Sequence, residues 1–294
     1  MGAGFSGRFI AHAFARDGAR VIGTTRDPDR FSELQALEIE PVFFDGSTLN
    51  DALRTQLSMC SHLIISIAPP RQEKDDHDVV DPVLRSFAGA RLKEMAPNLR
   101  WVCYLSTVGV YGNHDGAWID EATPAKPVSE RSRQRVRTEN EWRKVAAVAG
   151  VPLSIFRLSG IYGPGRNALM SAQKGKARRL VKHGQVFNRI HVSDIATATL
   201  SAAQRHASGT FNVTDNEPAP PQDVVAFAHE LMGKEPPPEI DFDTAELSPM
   251  ARSFYGENKR VSNAKSKTEL AMTYAFPNYR EALSQMWKDG SWRG

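Results

Sequence analysis

Gly2, Gly4 and Gly7 open the chain in the spacing G-x-G-x-x-G, with only Met1 ahead of them. Glycines so spaced let the backbone turn tightly, admit a pyrophosphate close to the main chain, and let the next helix pack against a strand. A helix does follow: Phe9, Ile10, Ala13 and Phe14 recur at helical spacing, and Gly18 stops the run. ARVIGTT (19–25) then reads as a buried strand, completing the second half of a βαβ unit. The helix dipole and the free N–H groups of its first turn would hold phosphates. Such a loop normally leaves a strand, and here that strand is missing. Four buried aliphatic side chains are worth ~6–12 kcal/mol at ~1.5–3 each. That rivals the ~5–15 kcal/mol stability of a whole domain, so the expectation is a misassigned start.

Downstream, strands at 41–45, 62–68, 101–107 and 153–158 alternate with helices at 27–37, roughly 79–96 and 130–149. In the second of these helices Val80, Leu84 and Phe87 share a face. Short apolar strands alternating with helices imply a doubly wound α/β fold, a parallel sheet covered on both faces. The second half is less regular: a helix over 191–203, a strand at 210–215, a helix ending near Gly233 and a last helix around 278–288. Residues 1–162 and 186–216 are expected to form the dinucleotide-binding domain. Residues 163–185 and 217–294 would form a smaller lobe over the C-terminal edge of the sheet, where open α/β sheets bind ligands.

Composition narrows the function classes. The net charge of +3 over 294 residues gives no case for nucleic acid. Cys60 and Cys103 sit in apolar contexts, which argues against a disulfide framework and a cysteine zinc site, and no metal is expected. No apolar run approaches the ~18 residues of a membrane span, and no signal-peptide pattern opens the chain. A cytoplasmic protein is expected.

Six segments, in order, carry a resemblance: GAGFSG (2–7), LSTVGVYG (105–112), WIDEATP (118–124), FRLSGIYGPGRN (156–167), RIHVSDIA (189–196) and GTFNVTDNEP (209–218). Together the chain resembles an atypical extended short-chain dehydrogenase/reductase of the NAD-dependent epimerase/dehydratase family. The resemblance implies a Rossmann-type sheet, a small C-terminal substrate lobe, and cofactor contacts from Gly2, Gly4, Phe5, Ser6 and Gly7. It also places Asp45 against the adenine and Ala68, within SIAPP (66–70), beside the adenosine. Members that bind NAD usually carry Asp at the end of the second strand. Here Thr25 stands there and Arg26 follows. A guanidinium suits a 2′-phosphate, so NADP is expected, with NAD the alternative.

For the chemistry, the resemblance implies a Ser/Thr after a central strand and a Tyr-x-x-x-Lys pair on the next helix. Thr107 matches the first. Residues 128–143, VSERSRQRVRTENEWR, hold neither Tyr nor Lys. Alignment through Glu139 puts Arg131 and Arg135 at the paired positions. Arg131 stays protonated and cannot shuttle a proton, whereas Arg135 can hold ribose or phosphate oxygens. Tyr111 and Tyr162 are either substitute acids or packing residues. His191 is expected as a hydrogen-bonding residue near the substrate, and Asp194 as a helix cap. From Arg166 to Arg189 the chain has seven Lys/Arg and no acid. Arg166, Arg178 and Arg179 either clamp an anionic, nucleotide-sugar-like substrate or form a solvated basic loop. Two functions stay open: a reductase, epimerase or dehydratase, with a homodimer as one option, and a catalytically silent dinucleotide-binding sensor or scaffold.

Overall fold

The computed structural model describes residues 1–69, 81–87 and 91–294, without the side chains of residues 250 and 251. Its first half alternates α1 (Phe5–Arg16), β1 (Val21–Thr25), α2 (Phe31–Gln35), β2 (Ile39–Phe43), α3 (Asp51–Met59), β3 (His62–Ile65), α4 (Pro82–Ser86), α5 (Leu92–Met95), β4 (Trp101–Thr107), β5 (Trp118–Ile119), α6 (Glu130–Ala149) and β6 (Leu153–Leu158). Its second half holds β7 (Gly160–Tyr162), α7 (Ala168–Gln173), β8 (Arg179–Val181), β9 (Arg189–His191), α8 (Val192–Gln204), β10 (Gly209–Val213), α9 (Pro221–Leu231), β11 (Glu239–Asp241), α10 (Pro249–Phe254), β12 (Arg260–Val261), α11 (Ala264–Glu269) and α12 (Tyr279–Asp289).

The central strands run parallel in the order β10-β6-β4-β3. Every residue of β6, and all but the last of β4, is buried. Helices cover both faces, as continuous apolar strands require. On one face Ile10 of α1 packs with Ile195, Ala198 and Ala202 of α8. On the other, Leu53 and Leu57 of α3 pack with Trp142 and Ala146 of α6. This is the doubly wound Rossmann-type architecture. A second parallel pair, β1-β2, stands apart. Among the described residues no strand lies between β1 and β3. Their facing edges border a cavity of about 400 Å³.

The long helix α6 keeps its expected bounds because Ser129 caps its start and Gly150, left-handed at φ 63°, ends it. The expected helix over 79–96 is different. Its described part is two short helices, α4 starting at the Asp81 cap and Pro82, and α5. Val80 lies outside the described residues. In the second half, Leu169 of α7, Ala228 of α9, and Tyr279 and Leu283 of α12 share one core with Trp292. Beside it, β8 pairs with β11. No described helix is long and apolar enough to cross a membrane.

Candidate functional site

The glycine loop is shaped by its backbone. Gly2 has φ +90°, and a Cβ there would sit 2.8 Å from Ile67 Cγ1. A Cβ on Gly7 would overlap the carbonyl oxygen of Gly2, whereas Gly4 faces open space. The Gly2 and Ala3 amides donate to Thr24 Oγ1 and Thr24 O, both at 2.7 Å. Gly4 is the N-cap of α1, and no side chain caps the helix. The first-turn N–H groups and the positive end of the helix dipole therefore face the open side of the loop, an arrangement that fits a pyrophosphate.

Around the loop, β1 ends without an acid. Thr25 is buried and its Oγ1 accepts from the Asp27 amide. Arg26 is exposed. Asp45 is exposed too; its carboxylate accepts from the Ser47 hydroxyl and amide, which hold its pKa below the ordinary value. Ala68 is exposed beyond β3. Arg166 arrives from the other side, its guanidinium 5.5 Å from the Phe5 ring centroid. It thus reaches the glycine loop. Arg178 and Arg179 do not join it: they donate to Glu246 O and Pro237 O, and Arg179 pairs with Glu239 across the β8–β11 register.

The foot of α6 departs from the sequence expectation. Arg131 is exposed. Arg135 is buried beneath the sheet edge, donating to Leu105 O at 2.6 Å and Tyr104 Oη at 3.2 Å, so it is held in the core rather than offered to a ribose. The residue turned toward Thr107 is Ser132. A Cβ on Gly109 would lie 2.9 Å from Ser132 Oγ and 3.5 Å from Thr107 Oγ1, so both hydroxyls border one space. Ser132 Oγ accepts from Ser129 Oγ, and Thr107 Oγ1 accepts from the Gly109 amide. The buried stripe Ser132–Arg135–Glu139–Trp142–Ala146 has helical spacing, the signal that points to Ser132.

Behind this space lies a buried polar network. Glu139 accepts from Ser106 Oγ at 2.6 Å, pairs with Arg157 through two bonds of 2.8 and 3.2 Å, and binds Arg143. Arg157 lies 4.6 Å over the Tyr111 ring. Tyr111 is wholly buried and donates to Asn212 Oδ1. Burial pushes its pKa up, so it is packed as a structural residue. Tyr162 is likewise buried and its pKa rises far beyond the ordinary range, first through burial and then through the charge of Asp215. His191 is pushed down to about 4 by burial. Its Nδ1 accepts from the Ser193 amide, and its ring meets Tyr162 and Phe276. His191, not Asp194, is therefore the cap of α8; Asp194 instead accepts from the Ala275 and Phe276 amides. Sequence reading missed Asp215, whose buried carboxyl is pushed up to about 8, mainly by desolvation.

Comparison with known proteins bears on this geometry. Residues 2–214 match the model of the NAD dependent epimerase/dehydratase family. Protein YeeZ of Escherichia coli (strain K12) is 23% identical over 283 residues, 95% of each chain. A conserved protein of unknown function from Silicibacter pomeroyi DSS is 45% identical, with a TM-score of 0.85 over 98% of this chain and 97% of that one. UDP-glucuronic acid 4-epimerase from Bacillus cereus, solved in complex with NAD, is 17% identical, with a TM-score of 0.73 over 97% and 95% of the two chains.

Proposed function

The chain belongs to the NAD-dependent epimerase/dehydratase family, and from that premise we propose that it is an NADP-dependent oxidoreductase acting on an anionic small molecule of the nucleotide-sugar class. The observation that carries the cofactor reading is the uncapped start of α1 behind a glycine cradle, with exposed Arg26 where an acid would select NAD. Gly2, Gly4, Phe5, Ser6 and Gly7 would hold the pyrophosphate, with Arg166 beside it; Arg26 would hold the 2′-phosphate. The substrate reading draws support from a structural neighbour named as a UDP-glucuronic acid 4-epimerase.

The bound nicotinamide would supply or accept the hydride. The Thr107 and Ser132 hydroxyls would hydrogen-bond the reacting oxygen of the substrate and orient it. Neither hydroxyl ionises readily, and Arg135 is committed to Leu105 O and Tyr104. Proton transfer, worth ~10²–10⁴-fold in rate, therefore lacks its usual phenol. That observation favours a second reading, a dinucleotide-binding sensor or scaffold without turnover. The test mixes the protein with NADPH or NADP and a panel of nucleotide sugars, following nicotinamide absorbance and product mass. Slow turnover of an anionic sugar nucleotide supports the enzyme; tight NADPH binding with no turnover of any panel member supports the sensor.

A further inference from the structure

Arg166 reaches the glycine loop from the tip of a hairpin. Gly163 and Arg166 exchange both of their backbone hydrogen bonds, each at 3.0 Å, around Pro164 and Gly165. Proline followed by a glycine at φ +71° is the residue pair of a type II turn. The root of the hairpin sits tightly against α8, where a Cβ on Gly163 would lie 2.6 Å from Val192 Cγ1. At the tip, the Arg166 guanidinium lies 5.5 Å from the ring centroid of Phe5, within range of a cation–π contact. Phe5 is the first residue of α1, the helix start that no side chain caps. Holding so long a side chain in one place costs conformational entropy, and costs less where its backbone is already fixed.

That backbone is fixed by a segment distant in sequence. Ser291–Arg293 form a short turn after α12, and the Trp292 side chain is buried in one core with Leu169 and Leu283. Trp292 O accepts two hydrogen bonds, from the Gly165 amide at 3.0 Å and from Asn167 Nδ2 at 2.9 Å. The two donors flank Arg166 on either side. Asn167 Nδ2 also donates to Gly163 O at 2.8 Å, and its Oδ1 caps α7 by accepting from the Met170 amide. One side chain thus ties the hairpin, α7 and Trp292 together. Packing alone asks nothing of the Trp292 carbonyl, yet both of its bonds go to the residues beside Arg166. Residue 292 also lies beyond the 2–214 span of the family match.

We propose that Asn167 and the Trp292 carbonyl are positioning groups for Arg166: they latch the hairpin so that the guanidinium stands at the glycine loop and binds the dinucleotide pyrophosphate there. The inference rests on the dinucleotide reading and deepens it by giving residues 163–167 and 291–293 a part in affinity. The latch offers no atom to the ligand. It fixes the residues on both sides of the one that does, so less order has to be imposed when the dinucleotide binds. The coupling is reciprocal: a dinucleotide held by Arg166 tightens the latch in turn.

Calorimetry with NADPH compares the full 294-residue chain with Arg166→Ala, Asn167→Ser and the double variant. Serine still caps α7 but has no amide group to span Gly163 O and Trp292 O. Arg166→Ala should weaken NADPH about 10- to 100-fold, the range of a charge-assisted hydrogen bond. Asn167→Ser should weaken it at least about fivefold, and the double variant should bind no more weakly than Arg166→Ala alone. Amide exchange gives a second readout that needs no change at Asn167. Saturating NADPH should slow exchange of the Gly165 amide at least about fivefold in the unsubstituted chain and leave it unchanged in Arg166→Ala. NADPH affinity untouched by Asn167→Ser, or effects of the two substitutions that add, would overturn the proposal. So would Gly165 exchange indifferent to NADPH, which decides the matter even if Asn167→Ser does not fold. An unsubstituted chain that binds no dinucleotide is a separate result: it overturns the dinucleotide reading and the latch with it.

Discussion

The glycine loop and the foot of α6 are built from different material. The loop is backbone: its work is done by N–H groups, by φ angles, and by space that a Cβ would fill at Gly2 and Gly7. The foot of α6 is side chains, whose roles depend on which helix face each residue occupies. Ser132 and Arg131 are neighbours in sequence, yet one borders the space beside Thr107 and the other faces solvent. A backbone site tolerates change around it as long as its glycines persist. A side-chain site is rewritten by single substitutions. The chain thus carries an uncapped helix start behind its glycines, while two hydroxyls border the space beside Gly109.

Five variants probe this contrast, beginning with the largest effect. Glu139→Ala strands Arg157 in the core and should cost about 3–5 kcal/mol, lowering the melting temperature by roughly 10 °C. NADPH affinity should change only a few-fold if the loop stands independently; a parallel collapse of binding would break the comparison. Gly7→Ala should do the reverse, weakening NADPH by about 100-fold or more, because its methyl would displace Gly2 and reshape the cradle. Calorimetry reads the affinity, and circular dichroism confirms that the variant is folded. Arg26→Ala should weaken NADPH roughly 10- to 100-fold, the value of a charge-assisted pair, and leave NADH unchanged. Ser132→Ala, which removes the acceptor of the Ser129 hydroxyl, should cost about 1 kcal/mol. Arg131→Ala should stay within about 0.5 kcal/mol. Equal urea midpoints for these two would mean that α6 turns a different face toward Thr107.

The smallest effect is a pH dependence. The Asp215 carboxyl, raised to about 8 in the folded protein, binds a proton that the unfolded chain has already released. Stability from this group therefore falls as pH rises from about 4 to 8. His191, depressed to about 4, acts in the opposite sense, since the unfolded chain binds the extra proton between about 4 and 6.5. Between pH 6.5 and 8 only the Asp215 contribution of the two operates. Asp215→Asn should flatten the loss of stability across that window, as read by melting at fixed ionic strength.

The glycine spacing was legible because it encodes backbone geometry directly. So was most of the strand–helix alternation, since β4 and β6 are buried on both faces and read as unbroken apolar runs. The bounds of α6 were legible through local chemistry, the Ser129 cap and the Gly150 terminator. The start of α4 had a local signal as well: Asp81 followed by Pro82 is a helix start, and the longer apolar pattern hid it. What sequence could not show depends on distant partners. Nothing local says that Arg135 donates to Leu105 O, or that Tyr111 hydrogen-bonds Asn212 about a hundred residues on. Arg178 and Arg179 read as a basic clamp with Arg166 because they share a stretch of chain, yet the fold sends them to the segment 237–246. Asp215 gave no sign in sequence, because its raised pKa comes from burial that only tertiary packing creates.

The central claim is that the Gly2–Gly7 loop and Arg26 together bind NADP. Calorimetric titration of the 294-residue chain with NADPH and NADH tests it most directly. The expected result is one site per chain with NADPH at least about tenfold tighter than NADH. Binding of neither dinucleotide, or equal affinity for the two, would contradict it.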